Sequence, residues 1–320
     1  MMILSRYSLE RLAESELFVR DTLEKVCRLM EVLRFVSSNE RLSNFLALKG
    51  GTAINLTIFH LPRLSVDIDY DFCGDFGLTE TMEIRRVINR TLIDFMDGNG
   101  YCLGQKSRSS RTLDSLIFEY VNLGGAKDNL KLDINYSERL HILPPSKRLA
   151  KVAWTADSVE VLCVDRIEIF ATKISALLSR SAARDLFDVL NLKKSGIFSQ
   201  NDFEFLNRSV AFYTAVSGKA DLSLDEYSFE NIEKLTQHRI KTDLVPVIHR
   251  GVFFDLASAR GEVYEFLRSF LKITPEVRAF FDAFLSGEYK PELLFPENDI
   301  GKNLLNHPMA LWRIKEFQKR

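Results

Sequence analysis

The pattern of apolar and polar positions near the start of the chain predicts helices around a pair of glycines. Apolar residues recur at steps of three to five from Leu9 to Val36, with charged residues between them, as in one long amphipathic helix. A short apolar segment from Phe45 to Leu48 then leads into Gly50 and Gly51. Helical spacing resumes from Thr52 to His60, so the glycines are predicted to form the turn before a second helix.

Alternation of apolar and polar residues then predicts β-strands. From Ser65 to Tyr70, Ile68 and Tyr70 point to one side of the chain, whereas Asp67 and Asp69 point to the other. Similar patterns predict further elements: strands over Asp114–Leu123, Leu130–Tyr136 and Val159–Val164, and a helix over Thr81–Met96.

From Asp165 onward the spacing is helical. Ile167 to Leu178 and Ala182 to Leu190 are predicted helices, and beyond residue 200 phenylalanine and leucine recur at helical spacing, which indicates the core of a helical bundle. We therefore predict an α+β protein with two domains. The first, over residues 1–155, is a mixed-sheet α/β domain with an N-terminal helix, and the second, over residues 156–320, is mostly helical.

Composition changes this picture little. Of the 320 residues, 46% are hydrophobic and 27% are charged, which is typical of a folded globular protein and excludes general disorder. The net charge of −1 leaves any nucleic-acid binding to local basic clusters. The chain start shows no signal-peptide pattern and no apolar run approaches the roughly 18 residues of a membrane span, so we expect a cytoplasmic protein without membrane contact. The four cysteines show no CxxC spacing, which predicts buried free thiols.

Two aspartates on one strand are the first candidate chemistry. Asp67 and Asp69 are two residues apart, so both side chains leave the same face, roughly 6.5–7 Å apart at the backbone. Carboxylates in this arrangement bind the divalent ions of two-metal nucleotidyl transfer, and Mg²⁺ prefers oxygen ligands. A third carboxylate is expected on a neighbouring strand, and Asp133 fits because it lies in an alternating strand. Asp71 continues the polar face of the first strand. The alternative is that these residues are only the solvent-facing side of an amphipathic sheet.

A glycine turn lies upstream of the acidic strand. Without a Cβ, Gly50 and Gly51 allow the backbone to approach a phosphate, and the N–H groups of the following helix would face the anion. The whole segment LKGGTAINLTIFHLPRLSVDIDYDF resembles the AbiEii/MenT-type toxins, which belong to the polymerase-β-like nucleotidyltransferase superfamily. Further along, Lys173 to Arg180 and Arg184 to Asp188 resemble the Lys–Arg and RDxxD motifs of the same family. On its own, this second motif would fit a network of ion pairs on a helix surface.

The resemblance implies a polymerase-β-like nucleotidyltransferase domain followed by a helical domain that contributes residues to the cleft. The residues implied to bind nucleotide are Gly50, Gly51, Thr52, Ser65, Lys173 and Arg180. Those implied to be catalytic are Asp67, Asp69, Lys173, and Asp185 or Asp188. The implied ligands of Mg²⁺, or of Mn²⁺ in its place, are Asp67, Asp69 and Asp133. In some family members the serine at the position of Ser65 is a regulatory phosphorylation target. Ser65 is therefore a candidate for that modification.

For function, the resemblance implies a toxin-like enzyme that transfers NMP from an NTP to RNA. The expected acceptor is the 3′ end of tRNA, which would block translation within a toxin–antitoxin or phage-defence system, and the expected protein partner is a winged-helix antitoxin. Other readings stay open: transfer to a protein or small-molecule hydroxyl, metal-dependent phosphohydrolysis, and a non-catalytic nucleotide-binding interaction protein. Two basic clusters are candidate RNA contacts: Lys106, Arg108 and Arg111, and Lys147, Arg148 and Lys151.

Overall fold

A computed structural model describes residues 5–318 of the chain, which divide into two compact units. Three stretches form the first unit: the chain up to Arg139, Pro145–Val164 and Pro246–Val252. The second unit is formed by Leu140–Pro144, Asp165–Val245 and the chain from Phe253 onward. The first unit holds the sheet and the second is helical, so the predicted α+β class is confirmed. Met1 to Leu4, where a signal peptide would begin, lie outside the described residues.

One mixed sheet forms the centre of the first unit. Its strands are β1 (Leu46–Lys49), β2 (Asp67–Phe72), β3 (Cys102–Leu103), β4 (Arg108–Ser109), β5 (Leu113–Val121), β6 (Lys127–Asn135), β7 (Ser146–Lys151) and β8 (Ser158–Cys163). They follow the order β3-β5-β6-β2-β1-β8-β7, with β4 also paired to β5. β2 runs parallel to β6 and β1 parallel to β8, and the other pairs are antiparallel.

The alternation predicted for the acidic strand is confirmed. On β2, Ile68 is 1% exposed, whereas Asp67 and Asp69 on the other face are half-buried. Paired residues of neighbouring strands project to the same side of a sheet, and β6 places Leu132 opposite Ile68 and Asp133 opposite Asp69. One face of these strands therefore belongs to the core and the other carries the carboxylates.

The N-terminal helical region differs from the prediction. The helices of the first unit are α1 (Arg6–Ser15), α2 (Arg20–Ser38), α3 (Glu40–Ser43), α4 (Gly50–Ala53) and α5 (Leu78–Gly98), and one π-helical turn over Ile54–Ile58 extends α4. The single long helix predicted from Leu9 to Val36 is wrong, because the chain breaks at Leu17, which has a left-handed φ of +55°. The break turns Phe18 into the core, where it is 1% exposed and its ring stacks on His249 at 4.0 Å. Burial of that ring offsets the backbone strain.

Residues 246–252 return to the first unit long after the rest of it has been completed in sequence. The amide of Leu64 donates to the carbonyl of Val247 at 2.7 Å, and Arg63 and Ile248 form an antiparallel β-bridge. This segment therefore braces the chain immediately before the acidic strand β2.

Two further expectations need correction. The second basic cluster lies on β7, an edge strand of the sheet, in a stretch for which the sequence predicts no strand. The sequence of β7 shows no alternation of apolar and polar residues, because Ala150 is the one position of this strand that is fully buried. Cys102 is exposed, contrary to the prediction of buried thiols, whereas Cys27 and Cys163 are buried, and none of the four cysteines, all within the described residues, forms a disulfide.

The second unit is a helical assembly with a phenylalanine-rich core. Its helices are α6 (Arg166–Ser179), α7 (Ala183–Ser195), α8 (Gln200–Ser217), α9 (Glu230–Glu233), α10 (Gln237–Arg239), α11 (Leu256–Phe270), α12 (Pro275–Leu285), α13 (Asn298–Leu304) and α14 (Pro308–Phe317). Buried Glu168 fastens residues 140–144 to this unit, because its Oε1 lies 2.9 Å from His141 Nδ1 and also accepts a hydrogen bond from Tyr213.

Phe253 departs from the predicted core, being 88% exposed. Among residues 5–318, no helix combines the length and the apolar character that crossing a membrane requires. The fully buried phenylalanine rings of this unit are those of Phe170, Phe212, Phe280, Phe281, Phe284 and Phe295.

Candidate active site

The glycine turn and the acidic strand are in direct contact. β1 and β2 are antiparallel neighbours with Lys49 opposite Asp69, and Gly50 follows at once. Gly50 has a left-handed φ of +66°, and a Cβ built on it would lie 2.7 Å from Asp69 Oδ2. Both features require glycine, because an L-residue is strained at this φ and its Cβ would displace the carboxylate. The turn predicted to cradle phosphate therefore lies against the acidic strand.

Buried polar side chains hold the turn on the strand. The hydroxyl of Thr52, which is 0% exposed, donates to the carbonyl of Asp67 and lies 3.0 Å from Ser65 Oγ. The guanidinium of Arg63, a 2%-exposed residue, lies beneath Gly51, where a Cβ would be 2.7 Å from its Nη2. The hydroxyl of Thr52 is therefore bound within the protein, and a phosphate contact by Thr52 stays a prediction. Ser65 is 8% exposed, so its hydroxyl is part of the same support.

The register of the sheet places five polar side chains in one row. From β1 to β4, the paired positions are Lys49, Asp69, Asp133, Ser115 and Arg108. Paired residues project to the same side, so the row lies on one face. Neighbouring strands are about 4.8 Å apart, which separates Arg108 from Asp133 by about 10 Å at the backbone. The predicted third carboxylate is thus the direct neighbour of Asp69, and one residue of the first basic cluster shares its face.

Both carboxylate oxygens of Asp133 have partners. Oδ1 accepts a hydrogen bond from Ser115 Oγ at 2.7 Å, and Oδ2 lies 2.5 Å from the ammonium of Lys131. Lys131 is also the register partner of Asp67. Burial on its own would lower the pKa of Lys131, but Asp133, Asp67 and Asp69 raise that pKa above its ordinary value. A lysine ammonium therefore neutralises part of the charge of three aspartates.

The acidic strand suits a divalent cation. Asp67 and Asp69 present carboxylate oxygens on one half-buried face, and carboxylate oxygens are what Mg²⁺ and Mn²⁺ prefer. Within residues 5–318, no group of three or more His, Cys, Asp or Glu side chains is arranged to hold an ion. An ion held by these two aspartates would therefore complete its coordination with nucleotide phosphate and water. The role of Asp133 as a third ligand stays a prediction.

Lys49, for which the sequence predicts no role, forms two ion pairs on this face. Its Nζ lies 3.0 Å from Glu138 Oε2 and also pairs with Asp71, which is 3% exposed. Burial on its own would lower the pKa of Lys49, but the two carboxylates outweigh burial and raise the pKa above its ordinary value. Asp71, which continues the polar face of β2, is thus committed to an ion pair.

In the second unit, the residues of the downstream motif form one buried ion cluster. Lys173 Nζ lies 2.9 Å from Asp185 Oδ1 and 3.3 Å from Asp188 Oδ2. Arg180 also binds Asp185, at 2.9 Å. Asp185 and Asp188 are 2% and 1% exposed, so a network on the helix surface is the wrong description for them. Arg184 instead donates to a backbone carbonyl at 2.8 Å.

The first basic cluster lies on a hairpin that a buried network holds in place. Arg85 on α5 binds both oxygens of Asp114, which is 0% exposed, with its Nε at 2.8 Å. The same guanidinium donates to Ser109 Oγ at 2.7 Å and to two backbone carbonyls of the hairpin. Lys106 and Arg108 are exposed. The hairpin is therefore fixed from within while its basic side chains face outward.

The structure thus places the predicted site residues in one cluster in each unit. Three charged residues without a predicted role, Lys49, Arg63 and Lys131, belong to the first cluster. A signal for each was present, because Lys49 and Arg63 lie within the motif string and Lys131 is two residues before Asp133 on an alternating strand. The predicted residues in the first cluster are Gly50, Gly51, Thr52, Ser65, Asp67, Asp69 and Asp133. The second comprises Lys173, Arg180, Asp185 and Asp188.

Comparison with known proteins identifies the family of the chain. A family model described as "Nucleotidyl transferase AbiEii toxin, Type IV TA system" matches residues 33–282. Among solved structures, the chain is similar in fold to MenT4, a nucleotidyltransferase toxin from Mycobacterium tuberculosis H37Rv, with a TM-score of 0.64 and 16% identity over 95% of this chain and 99% of that one. No curated protein gives a significant match. Because the family match spans most of the chain and includes both motifs, the chain belongs to the AbiEii nucleotidyltransferase toxin family of type IV toxin–antitoxin systems.

Proposed function

We propose that this protein transfers a nucleoside monophosphate from an NTP to the 3′ end of tRNA in the cytoplasm and so blocks translation. The observation that carries the transfer chemistry is the contact between the Gly50 turn and the carboxylate of Asp69. It brings a backbone that a phosphate can approach closely next to carboxylates that can bind a divalent ion. Membership of the family supports nucleotidyl transfer. That the acceptor is the 3′ end of tRNA is our proposal.

The first unit supplies the groups that position the nucleotide. Asp67 and Asp69 hold the divalent ion, Mg²⁺ or Mn²⁺, which when bound would neutralise phosphate charge and lower the pKa of the acceptor hydroxyl. The N–H groups of the turn at Gly50 and Gly51 bind phosphate oxygens. The hydroxyl gives its proton to water and attacks the α-phosphorus in line, the bond to the bridging oxygen breaks and pyrophosphate leaves. The contribution of the protein is positioning and charge stabilisation.

In the second unit, Lys173 is the proposed phosphate-binding residue. Lys173 is a compact point charge, which suits binding of phosphate oxygens. Asp185 and Asp188 hold its ammonium from the buried side, at 2.9 and 3.3 Å. Their proposed role is to fix the position and the charge of Lys173, with Arg180 as a second cation on Asp185.

The charge distribution on the sheet favours a polyanionic acceptor. Arg108 is exposed and stands in the same row as Asp133, about two strand spacings away. An RNA strand that enters along this face can bind a backbone phosphate at Arg108 while its end reaches the carboxylates. The second basic cluster is less suited, because Lys147 is already paired with Glu160 at 2.8 Å.

Two rival functions make different predictions. Transfer to a protein or small-molecule hydroxyl would not need the basic hairpin. A non-catalytic protein that binds nucleotide would not need the carboxylate of Asp69 against the turn or the buried cation in the second unit. The family also supports an antitoxin partner, which we propose to be a winged-helix protein.

The test is incubation of the purified protein with each [α-³²P]NTP and Mg²⁺, with tRNA, with total protein, or without acceptor. We expect label in tRNA, and none with folded Asp67→Asn or Asp69→Asn protein. Asp128→Asn is the matched control, because Asp128 lies on the opposite face of β6, paired with Lys25 at 2.7 Å. Label in protein would assign another acceptor, and release of label without acceptor would indicate a hydrolase. Normal labelling of tRNA by Asp69→Asn would rule the mechanism out.

A further inference from the structure

One lysine stands among the three aspartates of the carboxylate face. Lys131 pairs with Asp67 in the register of β2 and β6, and Asp133 pairs with Asp69, so the four side chains occupy the corners of one small area of the sheet. The Lys131 ammonium lies 2.5 Å from Asp133 Oδ2. The position of this cation is therefore set by strand register as well as by its ion pair.

Asp133 binds this ammonium through its Oδ2. Its other oxygen accepts a hydrogen bond from Ser115 Oγ at 2.7 Å, and Ser115 is its register partner on β5. A carboxylate with a hydroxyl on one oxygen and an ammonium on the other has both of its oxygens occupied. In agreement, no three carboxylates within residues 5–318 are arranged to hold a common ion.

The charges of this area decide how many further cations it can accept. Three carboxylates and one ammonium leave a net charge of −2, which one divalent ion neutralises. A second divalent ion beside Asp133 would stand within a few ångströms of the Lys131 ammonium, at a repulsion of several kcal/mol even in a partly screened site. Binding of a second ion would therefore require Lys131 to leave.

We propose that Lys131 takes the place of the second metal ion in this protein. Its ammonium, held by Asp133 and Ser115, fills the position next to the acidic pair, so that the chain binds one divalent ion, at Asp67 and Asp69, and Asp133 is a positioning residue for Lys131. The inference rests on the proposed function only for the assignment of Asp67 and Asp69 as the metal ligands.

The test counts bound ions directly. Free Mn²⁺ is measured by electron paramagnetic resonance during titration of the purified chain without nucleotide. We expect one Mn²⁺ per chain, with an affinity that falls at least about a hundredfold in Asp69→Asn, which loses a ligand. Asp133→Asn removes one nearby negative charge but no ligand, so we expect it to weaken Mn²⁺ binding by about tenfold, much less than Asp69→Asn does.

Substitution of the lysine gives the opposite effect. Lys131→Met removes the resident positive charge, so we expect Mn²⁺ to bind about tenfold more tightly, or in two equivalents per chain. Lys131→Arg keeps the charge and should bind one ion with the affinity of the unchanged protein. Lys127→Met is the matched control, because Lys127 is an exposed lysine on the same face of the same strand. Thermal unfolding followed by circular dichroism verifies that each variant is folded.

The outcomes separate the two proposals. Two Mn²⁺ ions in the unchanged protein, one of them lost in Asp133→Asn, would overturn the role of Lys131 and leave the nucleotidyl transfer standing. Equal Mn²⁺ binding by Lys131→Met, Lys127→Met and the unchanged protein would also overturn it. If the unchanged protein bound no Mn²⁺ and transferred no label, the proposed function itself would fail.

Discussion

The carboxylate of Asp69 lies so close to the α-carbon of Gly50 that a single added methyl group would be 2.7 Å from Oδ2. The first prediction concerns this contact. Gly50→Ala should abolish transfer, because the new Cβ displaces the proposed metal ligand, and it should lower the free energy of unfolding by about 1–2 kcal/mol through the left-handed φ. Label transfer to tRNA and urea unfolding measure the two effects.

A second glycine provides the control for that prediction. Gly98 ends α5, has no atom near the position of a Cβ and does not have a left-handed φ. Gly98→Ala should therefore leave transfer unchanged and alter the free energy of unfolding by less than about 1 kcal/mol. If Gly50→Ala transferred label as well as Gly98→Ala did, the contact with Asp69 would have no part in the reaction.

The second prediction concerns the buried cation of the helical unit. Lys173→Met leaves Asp185 and Asp188 buried without the ammonium that they share, so the free energy of unfolding should fall by about 3–5 kcal/mol. Lys193→Met removes a half-exposed lysine paired with Glu262 and should cost less than about 1 kcal/mol. Urea unfolding of both variants checks this, and equal losses would contradict a buried role for Lys173.

The third prediction is a dependence of stability on pH. Burial on its own raises the pKa of Asp185, but Lys173 and Arg180 outweigh it and hold that pKa below its ordinary value. A lowered pKa contributes stability that is fully present above the unfolded pKa of about 3.9 and is lost as pH falls through the folded pKa. The difference in unfolding free energy between the unchanged protein and Asp185→Asn should therefore shrink from about pH 6 to about pH 3. A difference that grows on acidification would contradict this assignment.

The fourth prediction concerns the hairpin that carries the first basic cluster. Arg108→Ala should weaken tRNA binding and reduce the slope of log affinity against log salt by about 1, because one phosphate contact is lost. Arg90→Ala is the control, since Arg90 is exposed on α5 and lies away from the row of paired residues on the sheet. Fluorescence anisotropy of labelled tRNA at several salt concentrations measures the slope. Equal slopes for the two variants would exclude Arg108 from the RNA path.

Local periodicity was sufficient to predict the part of the site that depends on one strand. Alternation in β2 put Asp67 and Asp69 on one face, and the glycines preceded a helix as expected. The partners that neighbouring strands supply were not visible in the same way. That Asp133 lies opposite Asp69, and that its oxygens bind Lys131 and Ser115, depends on register between distant segments, which the period of a single strand does not fix.

The errors have equally local causes. The break at Leu17 was missed because apolar spacing continues across it, while the reason for the break, the burial of Phe18 against His249, lies more than two hundred residues away in sequence. The strand β7 was missed because an edge strand needs few apolar residues, and Ala150 is small. In both cases tertiary packing decided what the local pattern left open.

The late return of residues 246–252 has a consequence for synthesis of this toxin on the ribosome. A nascent chain carries both aspartates of β2 early, but the β-bridge at Arg63 and the bond from Leu64 to Val247 form only after residue 252 has left the exit tunnel. Products of premature termination should therefore contain the acidic strand without its brace and be harmless.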